Sequence, residues 1–482
     1  MKNERKLGKI TLIMLRAIPK RVPENLGLFQ LPIKQLLKAQ TIHWSRRSLS
    51  QSFTNYKEVT HADPNDDSHT GQYVNTISKP YTVTTYARPN VVVTHGKGSY
   101  LYDLENRQYI DFTAGVAVTA LGHANSEIAE IIANQANTLV HCSNLYYNMH
   151  AGELANKLVT KTLRSGGMQE AQRVFLCNSG TEANEAAMKF ARKYGKSFSD
   201  DKFEFIAFEN SFHGRSMGSL SVTTNSKYQA PFTPLVPGVK VAKANDLNSV
   251  KEVISKEKTC GVIIEPIQGE GGVTVMDTEF LIGLRKLCDE NDVVLIYDEI
   301  QCGLGRSGSL WTHSQMPAEA HPDIVTMAKA LGNGFPIGAT MISEKIEKVL
   351  KVGDHGTTYG GNPLGSRVGT YVVDKVSEKE FLQAVNDKSE KFIKGLTKIA
   401  NKYPDHVTEV RGKGLLLGLQ FSNSVEVGDV VQKCRDHGLL VISAGLNVLR
   451  LVPALNIPDD LIEEGLQVID DAIEEVVSFG RA

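Results

Sequence analysis

Three short stretches hold residue types that could do chemistry, and they follow one another in a definite order. Asn178-Ser179-Gly180-Thr181 comes directly after the apolar run Arg173-Val174-Phe175-Leu176-Cys177. Glycine permits close approach to the backbone, and a helix starting there offers free N–H groups beside hydroxyls, which together cradle an anion. The field of a helix end is worth only about 0.3–2 kcal/mol, so such a cradle orients a phosphate but does not hold a ligand alone. Ser179 or Thr181 simply capping the helix is the plainer account. Asp298-Glu299-Ile300-Gln301 follows five apolar strand residues. Asp298 therefore stands at a strand's carboxyl end, where open α/β sheets bind ligands. A buried carboxylate needs a partner: a protonated ring nitrogen, a helix it caps, or a metal. Met327-Ala328-Lys329-Ala330-Leu331-Gly332-Asn333-Gly334 sets a lysine among small and apolar neighbours. Desolvation lowers an amine's pKa and favours the neutral form that makes a Schiff base; a structural lysine with its head in water is the alternative. Together they give a phosphate cradle, a strand-end carboxylate and a sheltered amine about thirty residues later, a combination few other chemistries require. A metal hydrolase would need His and carboxylate clusters, and a P-loop enzyme would need Gly-Lys-Ser/Thr after a glycine-rich loop. The sequence has neither, and no metal site is expected.

These residues need elements to position them. Val91 to Thr94, Gly96-Lys97-Gly98 and Tyr100 to Asp103 read as strand, turn and strand. From there strands and helices alternate, the pattern of an α/β domain with a largely parallel sheet. After Cys177, a helix from about Glu182 carries Ala183, Ala186, Ala187, Phe190, Ala191 and Tyr194 on one face, with Gly195 as its C-cap. Gly261 to Ile264 and Val293 to Tyr297 read as buried strands. A helix with Phe280, Leu281, Leu284, Leu287 and Cys288 precedes the second of them. Beyond about Thr370 the chain turns to charged helices and a few strands, Leu415 to Leu417 and Val448 to Leu451 among them, and a last helix spans Asp459 to Phe479.

With Phe212-His213-Gly214-Arg215, Glu265-Pro266-Ile267-Gln268-Gly269-Glu270-Gly271-Gly272 and Thr358-Tyr359-Gly360-Gly361-Asn362-Pro363 added, the chain resembles the class-III pyridoxal-phosphate (PLP) aminotransferases of fold type I. The resemblance runs from about Thr82 to the C-terminus, roughly 400 residues. It implies a large α/β domain with a mostly parallel central sheet flanked by helices, and a smaller α+β domain from the N- and C-terminal segments. The divisions expected are a basic targeting segment at 1–57, a linker at 58–79, small-domain segments at 80–135 and 371–482, and the PLP-binding domain at 136–370. By position the resemblance makes Lys329 the carrier of PLP and the mover of a proton, and Asp298 the partner of the pyridinium. Phe212 stacks on the ring, Gln301 lies near its hydroxyl, and Ser179, Gly180 and Thr181 bind phosphate. Thr358 reaches the phosphate of a neighbouring subunit's cofactor, which implies a homodimer with shared sites. Arg215 would hold the substrate carboxylate remote from the reacting amine, with Thr357 as a further substrate contact. Arg411 would take the α-carboxylate of glutamate or 2-oxoglutarate, and Glu270 would pair with Arg411 while the first substrate is bound.

Asp111 to Val118, Leu121-Gly122-His123 and Ser143-Asn144-Leu145-Tyr146 point within the family toward members acting on N2-acetyl-L-ornithine. The implied reaction moves its terminal amino group to 2-oxoglutarate, a step of arginine biosynthesis giving N-acetylglutamate 5-semialdehyde and L-glutamate. Ornithine or 4-aminobutyrate as donor is the alternative. A catalytically dead scaffold of this fold is a different class, against which Lys329, Asp298 and Arg215 together argue. The stretch Trp311 to Asp323 is slightly longer than bacterial members have, and is expected to be a surface variation.

The bulk composition is ordinary for a soluble globular protein, and no apolar run approaches the ~20 residues of a membrane-spanning helix. Six scattered cysteines read as reduced thiols. Charge is uneven: Met1 to Lys57 holds twelve Lys and Arg against Glu4 and Glu24, a balance of +10, and leaves −11 for the rest of a chain whose total is −1. A basic, acid-poor leader on an acidic body resembles a mitochondrial targeting segment and places the protein in the matrix, with a processed terminus between Arg47 and Ser78. A basic tail or nucleic-acid arm is the alternative, but no further basic stripe supports nucleic acid. Met14 is a second possible start.

Overall fold

Alternation along the strands decides how the layers stack. The central sheet has seven strands: β1 (Ala171–Cys177), β2 (Glu204–Phe208), β3 (Val239–Ala242), β4 (Thr259–Ile264), β5 (Val294–Asp298), β6 (Ile324–Met327) and β7 (Gly338–Ser343). Their order is β1-β7-β6-β5-β4-β2-β3, and β7 alone runs against the rest. β4 and β5 are buried along their whole length, which is why they read as unbroken apolar runs. Ile263, Val294 and Ile296 point to one face, where they meet Ala186, Ala187, Phe190 and Ala191 of helix α2 (Gly180–Gly195). Val262, Ile264, Leu295 and Tyr297 point to the other, against Phe280, Leu281, Leu284 and Cys288 of helix α3 (Thr278–Glu290). Successive side chains on opposite faces make this three-layer arrangement obligatory. Helix α1 (Met149–Arg164) packs beside β1 and against helix α4 (Pro363–Val376).

The structure, a computed structural model, describes residues 59–479; the basic segment at 1–57 and Met14 lie outside them. As expected, N- and C-terminal segments build the second α+β region. The antiparallel strands Val93–Lys97, Tyr100–Asp103 and Gln108–Asp111 are extended by Leu439–Leu440, which lies parallel to the third. A separate antiparallel sheet is formed by Val407–Lys413, Leu416–Phe421, Val448–Leu451 and Ile442–Ala444. Helix α5 (Lys379–Lys402) packs against helix α6 (Asp459–Phe479), the last helix read from the sequence.

Three expectations need correction. Gly195 is not a left-handed C-cap: it is buried inside α2, and a Cβ there would stand 2.5 Å from Cys260 Cβ and from the Lys202 carbonyl oxygen. Glycine is required by close packing of helix on strand. The stretch at 58–79 is not a free tether from His61 onward. The His61 amide donates to the Asp436 carbonyl at 2.9 Å, its Nε2 pairs with the Gln108 carbonyl oxygen at 2.9 Å, and Thr70 is buried within the first short helix, His69–Tyr73. The stretch Trp311 to Asp323 is a surface variation only in its middle, where Gln315, Pro317, Ala318 and Glu319 are exposed, while Trp311 and His313 at its start are fully buried. His313 Nδ1 pairs with Glu299 at 2.7 Å, and the Thr312 amide donates to the same carboxylate at 2.7 Å. The loop therefore clamps the residue next to Asp298.

Candidate active site

Five strands deliver the site at one edge of the sheet. β1 ends at Cys177 and leads into Ser179 and Gly180; β2 ends at Phe208 ahead of Phe212 and His213; β4 ends at Ile264 beside Glu265; β5 ends on Asp298; β6 ends at Met327 before Lys329. These are carboxyl ends of co-directional strands, where an open α/β sheet leaves a crevice. A cavity of about 420 Å³ opens there, lined among others by Gly180, Thr181, Phe212, Arg215, Glu265, Asp298, Gln301 and Lys329. Ser179, Gly180 and Thr181 start α2. The Ser179 hydroxyl accepts the Glu182 amide at 3.3 Å while donating to the Glu182 carboxylate at 3.1 Å, and the Asn178 amide donates to that carboxylate at 2.8 Å, a close variant of the capping box. Capping and anion cradle are thus not alternatives, because the cap leaves the Gly180 and Thr181 amides unspent by the helix. A Cβ on Gly180 would come within 2.9 Å of Ile300.

Asp298 is buried and fully hydrogen-bonded. One oxygen accepts Asn184 Nδ2 at 2.8 Å and pairs with His213 Nδ1 at 2.8 Å; the other accepts the Ile300 amide at 3.0 Å. Asn184 is itself fixed by Thr326, whose hydroxyl donates to it at 2.8 Å. Three contacts hold this carboxylate in place. The second buried acid, Glu265, accepts the Phe212 amide at 3.0 Å and the Gly269 amide at 3.3 Å, so it ties the aromatic residue to the loop that carries Glu270. Burial, opposed by nearby His213, pushes its pKa up to about 7.

Lys329 begins a single 3-10 turn with φ +39°, a left-handed conformation rare for a side-chain-bearing residue. Asn333 holds that turn, accepting the Leu121 amide at 2.7 Å and donating to the Gly122 carbonyl at 3.2 Å. Burial pushes the Lys329 amine down to about 8; Arg450 acts the same way, and Asp298, Glu265 and Glu270 oppose it. A sizeable neutral fraction near pH 7 to 8 is what a nucleophilic amine needs.

The cations are placed differently from the expectation. Arg411 lies on strand Val407–Lys413, bonded to Gln420 and paired with Glu409 at 3.2 Å, and it does not line the cavity. Glu270 pairs instead with Arg450, at 3.0 Å. Neither Glu270 nor Arg450 lines the cavity itself, but Arg450, 3 % exposed, donates at 3.2 Å to Gln301, which does. Sequence reading missed it because Val448-Leu449-Arg450-Leu451 looks like an ordinary apolar strand; the signal was the arginine inside that run. Tyr228 was missed as well. Its hydroxyl donates to Glu270 at 3.2 Å, and the Arg215 guanidinium stacks on its ring, 3.5 Å from the centroid. Arg450, Glu270, Tyr228 and Arg215 thus form a continuous row. Thr357 sits behind the cradle, accepting Asn178 Nδ2 at 3.2 Å, and neither it nor the exposed Thr358 lines this chain's own cavity.

Residues 82–473 match the family described as aminotransferase class-III. The chain belongs to that family. It is 74% identical over 429 residues to the mitochondrial acetylornithine aminotransferase of Debaryomyces hansenii, covering 89% of this chain and 92% of the relative. It is 54% identical over 403 residues to the mitochondrial acetylornithine aminotransferase of Saccharomyces cerevisiae, covering 83% and 95%. Among solved structures, the N-acetylornithine aminotransferase from Stenotrophomonas maltophilia superposes with a TM-score of 0.71 at 35% identity, over 84% of this chain and 99% of that one. An ornithine aminotransferase from Toxoplasma gondii, with PLP at partial occupancy in its active site, superposes with a TM-score of 0.79 at 29% identity, over 86% and 96%. The fold of this class-III chain agrees with what the sequence implied.

Proposed function

We propose that the chain is a PLP-dependent aminotransferase that moves the terminal amino group of N2-acetyl-L-ornithine to 2-oxoglutarate, releasing N-acetylglutamate 5-semialdehyde and L-glutamate. The observation that carries the reading is a buried amine of lowered pKa sharing one cavity with a strand-end carboxylate held by three contacts. The residues fit PLP on chemistry and space. Gly180, Thr181 and the α2 N-terminus suit its phosphate, Phe212 its ring face, Asp298 its ring nitrogen, Gln301 its hydroxyl, and Lys329 its aldehyde. When bound, PLP supplies a carbonyl that receives an amino group and a ring that draws electrons from the adjoining carbon. Lys329 then takes the proton from the amine-bearing carbon of the donor at its Nζ, and the surrounding apolar wall keeps water away.

Substrate choice rests on the two arginines. Arg215, at the rim and braced by Tyr228, suits the donor's remote carboxylate by a two-pronged contact. Arg450 keeps Glu270 as its partner while that donor, which has no carboxylate beside its reacting amine, is in place. When glutamate or 2-oxoglutarate enters, its α-carboxylate replaces Glu270 on Arg450. This reassigns to Arg450 the role that the sequence gave to Arg411. The names of the curated relatives support acetylornithine over ornithine, and their mitochondrial designation, with the basic leader, supports the matrix. Exposed Thr358, outside its own cavity, supports a homodimer in which it serves the neighbouring site; a monomer by sedimentation equilibrium at assay concentration would remove that part.

The test is steady-state kinetics with acetylornithine, ornithine and 4-aminobutyrate, each against 2-oxoglutarate. The reading requires acetylornithine to have the highest kcat/KM; a higher value for either other donor overturns the substrate assignment.

A further inference from the structure

One acidic side chain behind the cavity has no part in the chemistry above. Glu185 lies on α2 one turn after Thr181. Its Oε1 accepts three donors: the Ser216 hydroxyl at 2.5 Å, the Gly218 amide at 2.9 Å and the Ser219 amide at 3.1 Å. The segment it grips is moulded onto this helix face. A Cβ on Gly218 would lie 2.4 Å from Glu185 Oε2, and one on Gly214, whose φ is +136°, would lie 2.4 Å from Thr181 Oγ1. The Ser219 hydroxyl donates to the Thr181 carbonyl at 3.1 Å, and the Ser216 amide donates to Thr181 Oγ1 at 3.3 Å. Arg215 sits inside this segment, between Gly214 and Ser216.

Counting protons fixes the direction of the remaining bond. Thr181 Oγ1 and Ser216 Oγ are 2.7 Å apart, and either could donate. A carboxylate only accepts, so the single Ser216 proton goes to Glu185. The Thr181 hydroxyl must then donate to Ser216. We infer that Glu185 is a positioning residue that sets both ends of the site at once, holding Arg215 at the rim through the Gly218 and Ser219 amides and controlling the Thr181 hydroxyl through Ser216. A phosphate reaching Thr181 competes with Ser216 for the Thr181 proton, so cofactor affinity depends on a relay that begins at a carboxylate outside the cavity. The inference rests on the PLP aminotransferase reading and deepens it.

The experiment compares the wild type with Glu185→Ala, Glu185→Gln and Ser216→Ala. It measures the dissociation constant for PLP by absorbance and KM for acetylornithine at saturating PLP. Glu185→Ala is expected to raise KM by roughly tenfold or more, the size of one lost hydrogen bond to a charged group, and to tighten PLP binding, because Ser216 then donates to Thr181 and leaves the Thr181 proton to the phosphate. Glu185→Gln, which keeps an acceptor at the same place, restores KM to within about threefold. Ser216→Ala leaves the Gly218 and Ser219 amides on Glu185, so it changes the PLP constant and spares KM. If Glu185→Ala does not fold, Ser216→Ala and Glu185→Gln carry the test. Unchanged PLP affinity in Ser216→Ala, or KM for Glu185→Gln displaced as far as a full loss, overturns the inference. A wild type that neither binds PLP nor uses any donor overturns the aminotransferase reading instead, so the two failures are distinguishable.

Discussion

At the scale of single residues, the site is a balance of buried charges. Lys329 has a pKa of about 8 in the fold against an ordinary 10.5. Between those values the cofactor-free fold binds fewer protons than the unfolded chain, so its stability rises with pH across that window. Lys329→Met is expected to abolish the rise, as urea unfolding at pH 8 and pH 10 would register; an unchanged slope would contradict the assignment. The same pKa makes the rate of PLP capture climb about tenfold per pH unit below 8 and level above it. The arginines give a second prediction. Arg450→Ala raises KM for 2-oxoglutarate by at least about tenfold, while Arg411→Ala, whose side chain faces Glu409 and Gln420, leaves it within about twofold. The reverse pattern would restore the expectation drawn from the sequence.

Elements explain why some of this was legible and some was not. Asp298 could be read because it ends an apolar strand, and strand ends in a parallel sheet define the crevice; Lys329 could be read because its neighbours are small and apolar. Ser179 to Thr181 could be read because a cap leaves a chemical signature in sequence. Arg450 could not be placed, since its partner Glu270 is 180 residues away and nothing local fixes which arginine a loop carboxylate meets. Gly195 looked like a cap because glycine often ends helices, yet its reason is contact with β4 through Cys260. Gly195→Ala tests that account. Overpacking there is expected to cost about 1–3 kcal/mol in chemical denaturation, whereas an ordinary interior helix position would gain from alanine. His313 escaped for a similar reason: only the folded loop shows that Glu299 needs it.

For the whole molecule, the strand–helix alternation anticipated the mostly parallel central sheet, and the family resemblance implied the smaller region that the N- and C-terminal segments build. What precedes residue 80 divides differently from the sequence-based boundaries. His61 and Ala62 hold the Gln108 and Arg107 region and the Asp436 turn, so removing them would strip hydrogen bonds from the second sheet. N-terminal sequencing of the native protein is therefore expected to find a terminus between Arg47 and Thr60, the upstream part of the window read from composition. A terminus beyond His61 in active enzyme would contradict the structural role given to that segment.

The central claim is that the Lys329 amine binds the aldehyde of PLP, and the direct test is borohydride reduction of the PLP-loaded protein followed by peptide mapping. The account predicts a stable pyridoxyl group on the peptide containing Lys329 and on no other. A label on any other lysine, or no label on protein that turns over its substrates, would contradict it.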